Sequence, residues 1–473
     1  MEAGEGGGED AGGVDDLMIT LQGTKPLAPW ADSLPHEWRL CRLKSVASIR
    51  YGLGQPPAEL SSGVAMIRAT DVDAGTIRTD NFLRVDPAGL PPDRNPYLKA
   101  GEIIVVRSGA YTGDSAIVPS SLEGAVAGYD MVATVTRASS HFVAYSLLSK
   151  HVLEDQIFLL TLRAAQPHLN AEELGSVVLA MPPTLHEQQR IAAYLDASCA
   201  AIDAAVAAKR RQLETLDSLR KSAAHQVLSE GLRPGLPLRD SGIESIGVIP
   251  AHWDVKQIRY ACEVNYGITL QLEKGQSAGD GVRILTVSNL TIDGNLDLED
   301  EYYIDPAELT KADYLRRGDL LFNWRNGSQY HVGKTAFFDM EGEVAHVSFL
   351  LRIRCGRHMY PFFLRSYLGV LKDAGFFAGA KDKVNKTFNS TELKRLRVVI
   401  PPMDEQKEVC REIERRTKEC NDMKAAVESQ IATLTAYRKS LIHECVTGKR
   451  RVTDEDVRRA RRADSIRSLE HRS

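Results

Sequence analysis

The feature that most constrains this chain is a long segment free of proline and glycine that occurs twice with the same landmarks. Met181-Pro182-Pro183 opens the first copy and Ile400-Pro401-Pro402 the second, 219 residues later at the first prolines, Pro182 and Pro401. Glu187-Gln188 and Glu405-Gln406 follow, and the copies close on Arg220-Lys221-Ser222 with His225 and on Arg438-Lys439-Ser440 with His443. Proline is tolerated where a helix begins and glycine ends one, so both edges are marked, and Thr184 is placed to cap the first segment. In the first copy apolar residues fall at Leu195, Cys199, Ile202, Val206, Leu213, Leu216, Ala223 and Val227. In the second they fall at Val409, Ile413, Cys420, Val427, Ile431, Leu434 and Leu441. This alternation of threes and fours is the seam of a coiled coil, interrupted in the first copy by Lys209 and Arg220. About 44 helical residues at about 1.5 Å each make a rod of roughly 65 Å, too long for the core helix of a small domain.

Compact regions precede each rod. Leu34 to Trp38 and Ile249 to Trp253 begin them, and Tyr97-Leu98-Lys99-Ala100-Gly101-Glu102 is echoed by Tyr314-Leu315-Arg316-Arg317-Gly318-Asp319. Short β-branched stretches between Gly, Pro and Asp turns read as mixed α/β globules. Framework landmarks recur while the residues between them differ, as in Arg107-Ser108-Gly109-Ala110-Tyr111-Thr112 against Asn323-Trp324-Arg325-Asn326-Gly327-Ser328. An internal repeat decides the architecture. The expected organisation is a disordered extension over 1–29, a first globule over 30–180, a long helix over 181–230 and a linker over 231–248. A second globule over 249–399, a second helix over 400–448 and a basic tail over 449–473, either a short helix or disordered, complete the chain. The extension is rich in Gly and acids, and the linker in Gly and Pro. Two equal rods bury their seams most simply against each other, and antiparallel pairing puts one globule at each end about a pseudo-two-fold axis. The fold class is therefore α+β.

With 473 residues there is room for two to four domains, and a net charge of −4 requires any nucleic-acid surface to be a local basic patch. Seven cysteines without a C-x-x-C pair indicate neither a zinc site nor a disulfide framework, and a reducing cytoplasm fits. Uninterrupted apolar runs such as Ile103 to Val106 fall far short of the roughly 18 residues that span a bilayer, so no membrane association is expected.

The order of Leu-Pro-x-x-Trp-like starts, Pro-Pro followed by Glu-Gln, and Arg-Lys-Ser-x-x-His closing each rod resembles the specificity subunit of type I restriction-modification systems. The resemblance covers nearly all of residues 34 to 450. It implies a non-catalytic subunit whose two target-recognition domains each read one half of a bipartite site in double-stranded DNA. It also implies paired helices that space those domains and dock two methyltransferase subunits, to which restriction (translocase/nuclease) subunits attach. Readers that match the two-fold axes of DNA contact half-sites roughly one turn, about 34 Å, apart. Because the globules differ in sequence, the half-sites are expected to be unrelated and the target asymmetric.

Two enzyme-like motifs do not hold. Gly327 to Gly333-Lys334-Thr335 has five residues between its glycines where a phosphate-binding loop needs four. Asn95-Pro96-Tyr97 lacks the second proline of the Asn-Pro-Pro-Tyr motif of amino-methyltransferases. No cofactor is expected, and methyl transfer falls to a partner. A fused restriction or methyltransferase enzyme and a coiled-coil scaffold without a DNA role are the alternatives.

Polar residues beside glycines are the candidate DNA contacts, since Arg pairs with guanine, Asn or Gln with adenine, and hydroxyls and cations with phosphate. In the first globule these are Arg68, Thr70, Arg107, Ser108, Tyr111, Thr112, Gln166 and His168. In the second they are Asn289, Asn323, Arg325, Asn326, Ser328, Tyr330, Lys383, Asn385 and Lys386. Asn170 and Asn389 recur in both copies and are expected to fix the framework. Helix pairing is assigned to Leu195, Ile202, Val206, Leu213 and Leu216 on one rod and to Ile413, Val427, Ile431, Leu434 and Leu441 on the other.

Overall fold

The computed structural model describes residues 33–91, 95–161, 167–269, 281–326, 331–378 and 386–470; the extension expected at 1–29 lies outside them. The chain forms two compact units, one from the residues up to Arg210 with those from Ser429 onward, the other from Arg211–Glu428. The long helices, Leu185–Glu230 and Met403–Val446, are 46 and 44 residues long, and each is shared between the units.

In the first unit a four-stranded antiparallel sheet runs in the order Ala47–Tyr51, Met131–Val135, Ile103–Val105, Ser115–Ile117. Side chains alternate across a strand, and here both faces are covered. Ile103 and Val105 enter one core with Phe142, Leu147 and Leu195, while Ile104 and Val106 enter another with Ile67 and Leu98. A three-stranded sheet of Leu83–Val85, Glu59–Ile67 and Val126–Ala127 lies in the same unit. Arg39–Arg42 pairs antiparallel with Val178–Met181, so the strand that opens the globule sits beside the one that leads into the long helix.

The second unit repeats this plan. Its four-stranded sheet runs Cys262–Tyr266, Leu350–Cys355, Leu320–Asn323, Thr335–Phe337, and its three-stranded sheet Tyr303–Ile304, Val282–Leu285, Val344–His346. Leu320 and Phe322 face one core and Leu321 the other. Residues 231–248, expected as a linker, are instead structured. Leu238–Asp240 pairs with Val248–Pro250, and Ile243 and Ile246 are buried in the core of the second unit. The glycines that suggested flexibility turn the chain, Gly242 and Gly247 having φ of +66° and +79°.

The repeated landmarks have mechanical roles. The Thr184 hydroxyl accepts from the Glu187 N–H at 3.2 Å and caps the first helix. Gln188 is buried, its amide oxygen accepting from the Ser139 N–H at 2.9 Å. Gln406 is fully buried and accepts from the Tyr360 N–H at 2.7 Å while donating to the carbonyls of His358 and Pro401 at 2.9 and 2.8 Å. One glutamine per unit thus ties the start of a long helix to its globule. At the other ends, Gly231 and Gly448 have φ of +74° and +71°, the left-handed geometry that terminates helices. A Cβ at Gly448 would lie 2.5 Å from the Pro35 ring, and one at Gly231 would lie 3.2 Å from the Trp253 ring. Each globule's Pro-x-x-Trp start therefore packs on the end of the long helix that belongs to the other repeat.

Within each unit the beginning of one helix lies with the end of the other, so the pair runs antiparallel. In the first unit Leu195 and Ile202 share a core with Leu441, Val206 and Leu434 pack against it, and Arg438 pairs with Asp203 at 3.0 Å. In the second, Ile413 shares a core with Val227, Leu216 and Val427 are buried, and Lys424 lies 3.7 Å from Asp217. Leu213 and Ile431 are only partly covered. Leu185–Glu230 contains an 18-residue window of mean hydropathy 1.5, apolar enough by length and composition alone to cross a membrane, although charged residues interrupt every apolar run in it. Ile191, Leu195, Cys199 and Ile202 of that helix are buried in the first unit's core.

Candidate nucleic-acid interface

Each unit ends its four-stranded sheet in the same way. Tyr51 closes strand Ala47–Tyr51, and its hydroxyl accepts from the N–H of Ala171 at 2.9 Å, at the start of a helix capped by Asn170. Tyr266 closes strand Cys262–Tyr266, and its hydroxyl accepts from the N–H of Ser390 at 3.1 Å, at the start of a helix capped by Asn389. Asn170 and Asn389 both form capping boxes with the glutamate three residues on, which explains their recurrence. Beside each tyrosine the chain leaving the central strand pairs with the segment that precedes this helix. In the first unit Ser108 bridges His168, and the Leu169 N–H donates to the Arg107 carbonyl at 2.8 Å. In the second Arg325–Asn326 pairs with Lys386–Thr387, and the Phe388 N–H donates to the Trp324 carbonyl at 2.8 Å.

On this shared backbone the side chains differ. The Arg107 guanidinium lies 4.1 Å from the centre of the Tyr129 ring and 4.8 Å from that of Tyr51, with Nη2 3.4 Å from His168 Nε2. Tyr51 and Tyr129 are 44% and 49% exposed, so the cation sits against two surface aromatic rings. Asp130 is buried, and one carboxylate oxygen accepts from the Arg107 N–H at 3.2 Å while the other has no hydrogen-bond partner among the described residues. Burial pushes the Asp130 carboxyl up to about 6, against the pull of Arg107. In the second unit Trp324 occupies the place of Arg107. Its indole N–H donates to the Ser348 carbonyl at 2.7 Å and its ring meets Tyr266 edge-on at 5.4 Å. Next to it the Arg325 guanidinium lies 5.8 Å from the ring of Phe349, which is 47% exposed.

The structure thus brings Arg107, Ser108 and His168 together in one unit, with Arg325 at the matching place in the other. Exposed Tyr111 and the Thr112 hydroxyl, which donates to the Gly109 carbonyl at 2.7 Å, stand on the adjoining turn. That turn borders a cleft of about 1070 Å³ in the first unit, lined also by Asp203, Arg210 and Arg438. Arg68 and exposed Thr70 lie on a separate turn, where Arg68 is held by Asp71 at 3.2 Å. Two expectations are corrected by burial. Asn289 is 1% exposed and donates to the carbonyls of Asp297 and Asp300, and Asn323 is fully buried and donates to that of His331, so neither amide is presented to a ligand. Asn326 and Lys386 are described only through their backbone pairing, and Gln166, Ser328, Tyr330, Lys383 and Asn385 lie outside the described residues. Sequence reasoning missed Tyr51, Tyr129, Tyr266 and Phe349. The available signal was an aromatic residue at matching places in both repeats.

The enzyme-like motifs are framework. The Lys334 ammonium is buried and donates to the Leu290 carbonyl at 3.3 Å, and the carbonyls of Asn95 and Tyr97 accept from Arg50 at 3.3 and 3.1 Å.

Exposed aromatic faces, arginine forks and a histidine at the end of a rigid sheet are equipped for stacking and for acceptor-rich edges. Residues 35–215 match the type I restriction modification DNA specificity domain family. The chain is similar to proteins described as type I restriction enzyme specificity subunits. It is 28% identical over 209 residues to the presumptive type I restriction enzyme MjaX specificity subunit of Methanocaldococcus jannaschii, 43% of this chain and 47% of that one. This match spans about half of the archaeal protein. It is 21% identical over 435 residues to the type I restriction enzyme EcoKI specificity subunit of Escherichia coli, covering 89% of this chain and 90% of that one. Among solved structures, a chain from work on complex assembly and conformational transition of the type I R-M system superposes with a TM-score of 0.67. Its identity is 16%, over 87% of this chain and 98% of that one, which bears on the fold.

Proposed function

We propose that this chain is the non-catalytic DNA-reading subunit of a type I restriction-modification complex and that it recognises a split, asymmetric site. The observation that carries this reading is one framework bearing two chemistries. The same strand end and the same capped helix present Arg107 against Tyr51 and Tyr129 in one unit, and Trp324 with Arg325, Tyr266 and Phe349 in the other. A reader of a palindrome needs one set of contacts used twice, whereas a reader of two unrelated half-sites needs two sets on one frame. Base edges specify and phosphates position, and binding weakens with salt as phosphates are neutralised. The long helices space the half-sites and dock two methyltransferase subunits, to which restriction subunits attach, in the cytoplasm. The test is methylation-sensitive sequencing of DNA from cells expressing the chain with and without its methyltransferase subunit. A bipartite asymmetric motif methylated only with both is expected; a palindromic motif, or methylation by this chain alone, overturns the reading.

A further inference from the structure

The chain is net acidic at −4, so sequence-independent attraction to a polyanion has to come from local surfaces. The stretch after the second long helix concentrates positive charge, and it is a folded element. Asp454–Glu470 is a helix, and its start is capped reciprocally. The Thr453 N–H and hydroxyl donate to the Asp456 carboxylate at 2.9 and 2.6 Å, and the Asp456 N–H donates to the Thr453 hydroxyl at 3.2 Å. Val452 is buried in the first unit's core, and Val457 and Ala460 pack against that core. One face of the helix is therefore fixed.

The other face is basic. Arg458, Arg459, Arg461 and Arg462 are all exposed, as are Lys449 and Arg451 just before the helix. Of the five acids in this helix, Asp454, Glu455 and Asp456 sit in the first turn, where the helix dipole favours them, and Asp464 and Glu470 follow the arginine cluster 458–462. Asp456 is spent on the cap, and the Glu455 pair with Arg459 at 3.0 Å is more than 70% exposed on both sides and hence weak. A groove of about 510 Å³ at the start of this helix is lined by Asp454, Val457 and Arg458 together with His186, Gln189 and Arg190.

We propose that this carboxy-terminal helix is an auxiliary phosphate-binding surface through which the subunit grips duplex DNA independently of sequence. The inference rests on the DNA-reading function proposed above. Arginine forks match phosphate oxygens, and long exposed side chains reach a curved backbone without a shaped pocket. An acidic protein surface is the other chemical fit. A protein interface, however, centres on buried apolar or aromatic side chains, and the exposed residues between 451 and 463 include no large apolar one.

The test uses the full chain assembled with its methyltransferase subunits and carrying Arg458→Ala, Arg459→Ala and Arg462→Ala together. Alanine favours helix, so helix content and melting temperature should hold. Affinity is measured over a salt series on a duplex with the methylated motif and on a scrambled duplex of equal length. The triple variant should bind both duplexes weaker by the same factor, roughly tenfold at about 0.1 M salt, and flatten the log–log salt slope by about 2 to 3. The matching Arg→Lys variants should restore most of the affinity, because phosphate accepts either cation. Unchanged slopes on both duplexes overturn the proposal. So does loss of the methyltransferase subunits on gel filtration with slopes unchanged, which assigns the patch to a protein. A wild-type complex without preference for the motif duplex sinks the functional reading instead, and the scrambled duplex still reports on the arginines.

Discussion

The guanidinium carbon of Arg107 lies 4.1 Å from the centre of the Tyr129 ring and 4.8 Å from that of Tyr51, within reach of both aromatic rings. A free arginine side chain loses considerable rotamer entropy on binding, and these contacts remove part of that cost before a ligand arrives. Arg107→Ala should weaken binding of the cognate duplex by about 1–3 kcal/mol and relax the base requirement in one half-site only. Arg107→Lys should recover little, since an ammonium neither stacks nor forks. Competition assays with duplexes substituted base by base in each half-site check this, and loss of discrimination in both half-sites would count against it.

Asp130 makes a pH-dependent prediction. Its folded carboxyl is pushed up to about 6 by burial from an ordinary 3.8, so the folded state disfavours the ion. Its contribution to stability is full below 3.8 and declines as pH rises through about 6, after which it is constant. Asp130→Asn keeps an acceptor for the Arg107 N–H and removes the charge. The variant should match wild type near pH 4 and exceed it by at most about 3 kcal/mol at pH 8, since two pKa units correspond to about that much. Urea unfolding at several pH values reads the difference; a gap that shrinks as pH rises refutes the assignment.

Gln188 and Gln406 should not be equally costly to remove. Gln406→Ala leaves the Tyr360 N–H and the His358 and Pro401 carbonyls without their partner, whereas Gln188→Ala strands the Ser139 N–H and the more distant Pro182 carbonyl at 3.4 Å. An abandoned buried group costs about 1–3 kcal/mol, so the Gln406 variant should lose more. Hydrogen exchange localises the effect: protection should fall at Tyr360 in one variant and at Ser139 in the other. Equal, diffuse loss would mean that the glutamines merely fill space.

How much was legible follows from where each signal is written. Pro-Pro starts, glycine ends and the caps at Asn170 and Asn389 are local chemistry, readable within a few residues. Asn289 and Asn323 were misread because asparagine is common in surface loops, yet Asn289 is the buried last residue of a turn and Asn323 ends the buried strand Leu320–Asn323, and both amides satisfy backbone carbonyls. The Arg107 cluster was out of reach because Tyr51 and Tyr129 are far apart in sequence and look like core residues. Substitution across the repeat hides pairs as well. Glu102 takes its arginine from Arg50 on one strand, and Asp319 takes its own from Arg354, which stands where the first unit has Thr134. The partner survives in space while its address in the sequence moves.

Helix length makes the last prediction. A seven-residue insertion adds two turns and returns the seam to the same face, so packing on either side is preserved while the helix grows by about 10 Å. Placed after Arg210 in one helix alone, it leaves a stretch of Leu185–Glu230 without a matching stretch of Met403–Val446, and binding should be lost or the preferred spacer changed. Placed also after Glu428, it restores the match, and the methylated motif should reappear with its half-sites about three base pairs further apart, at about 3.4 Å per base pair. Both half-sites should keep their bases, because neither Arg107 nor Trp324 has moved within its own unit. An unchanged spacer in the doubly extended chain would show that something other than helix length measures the distance.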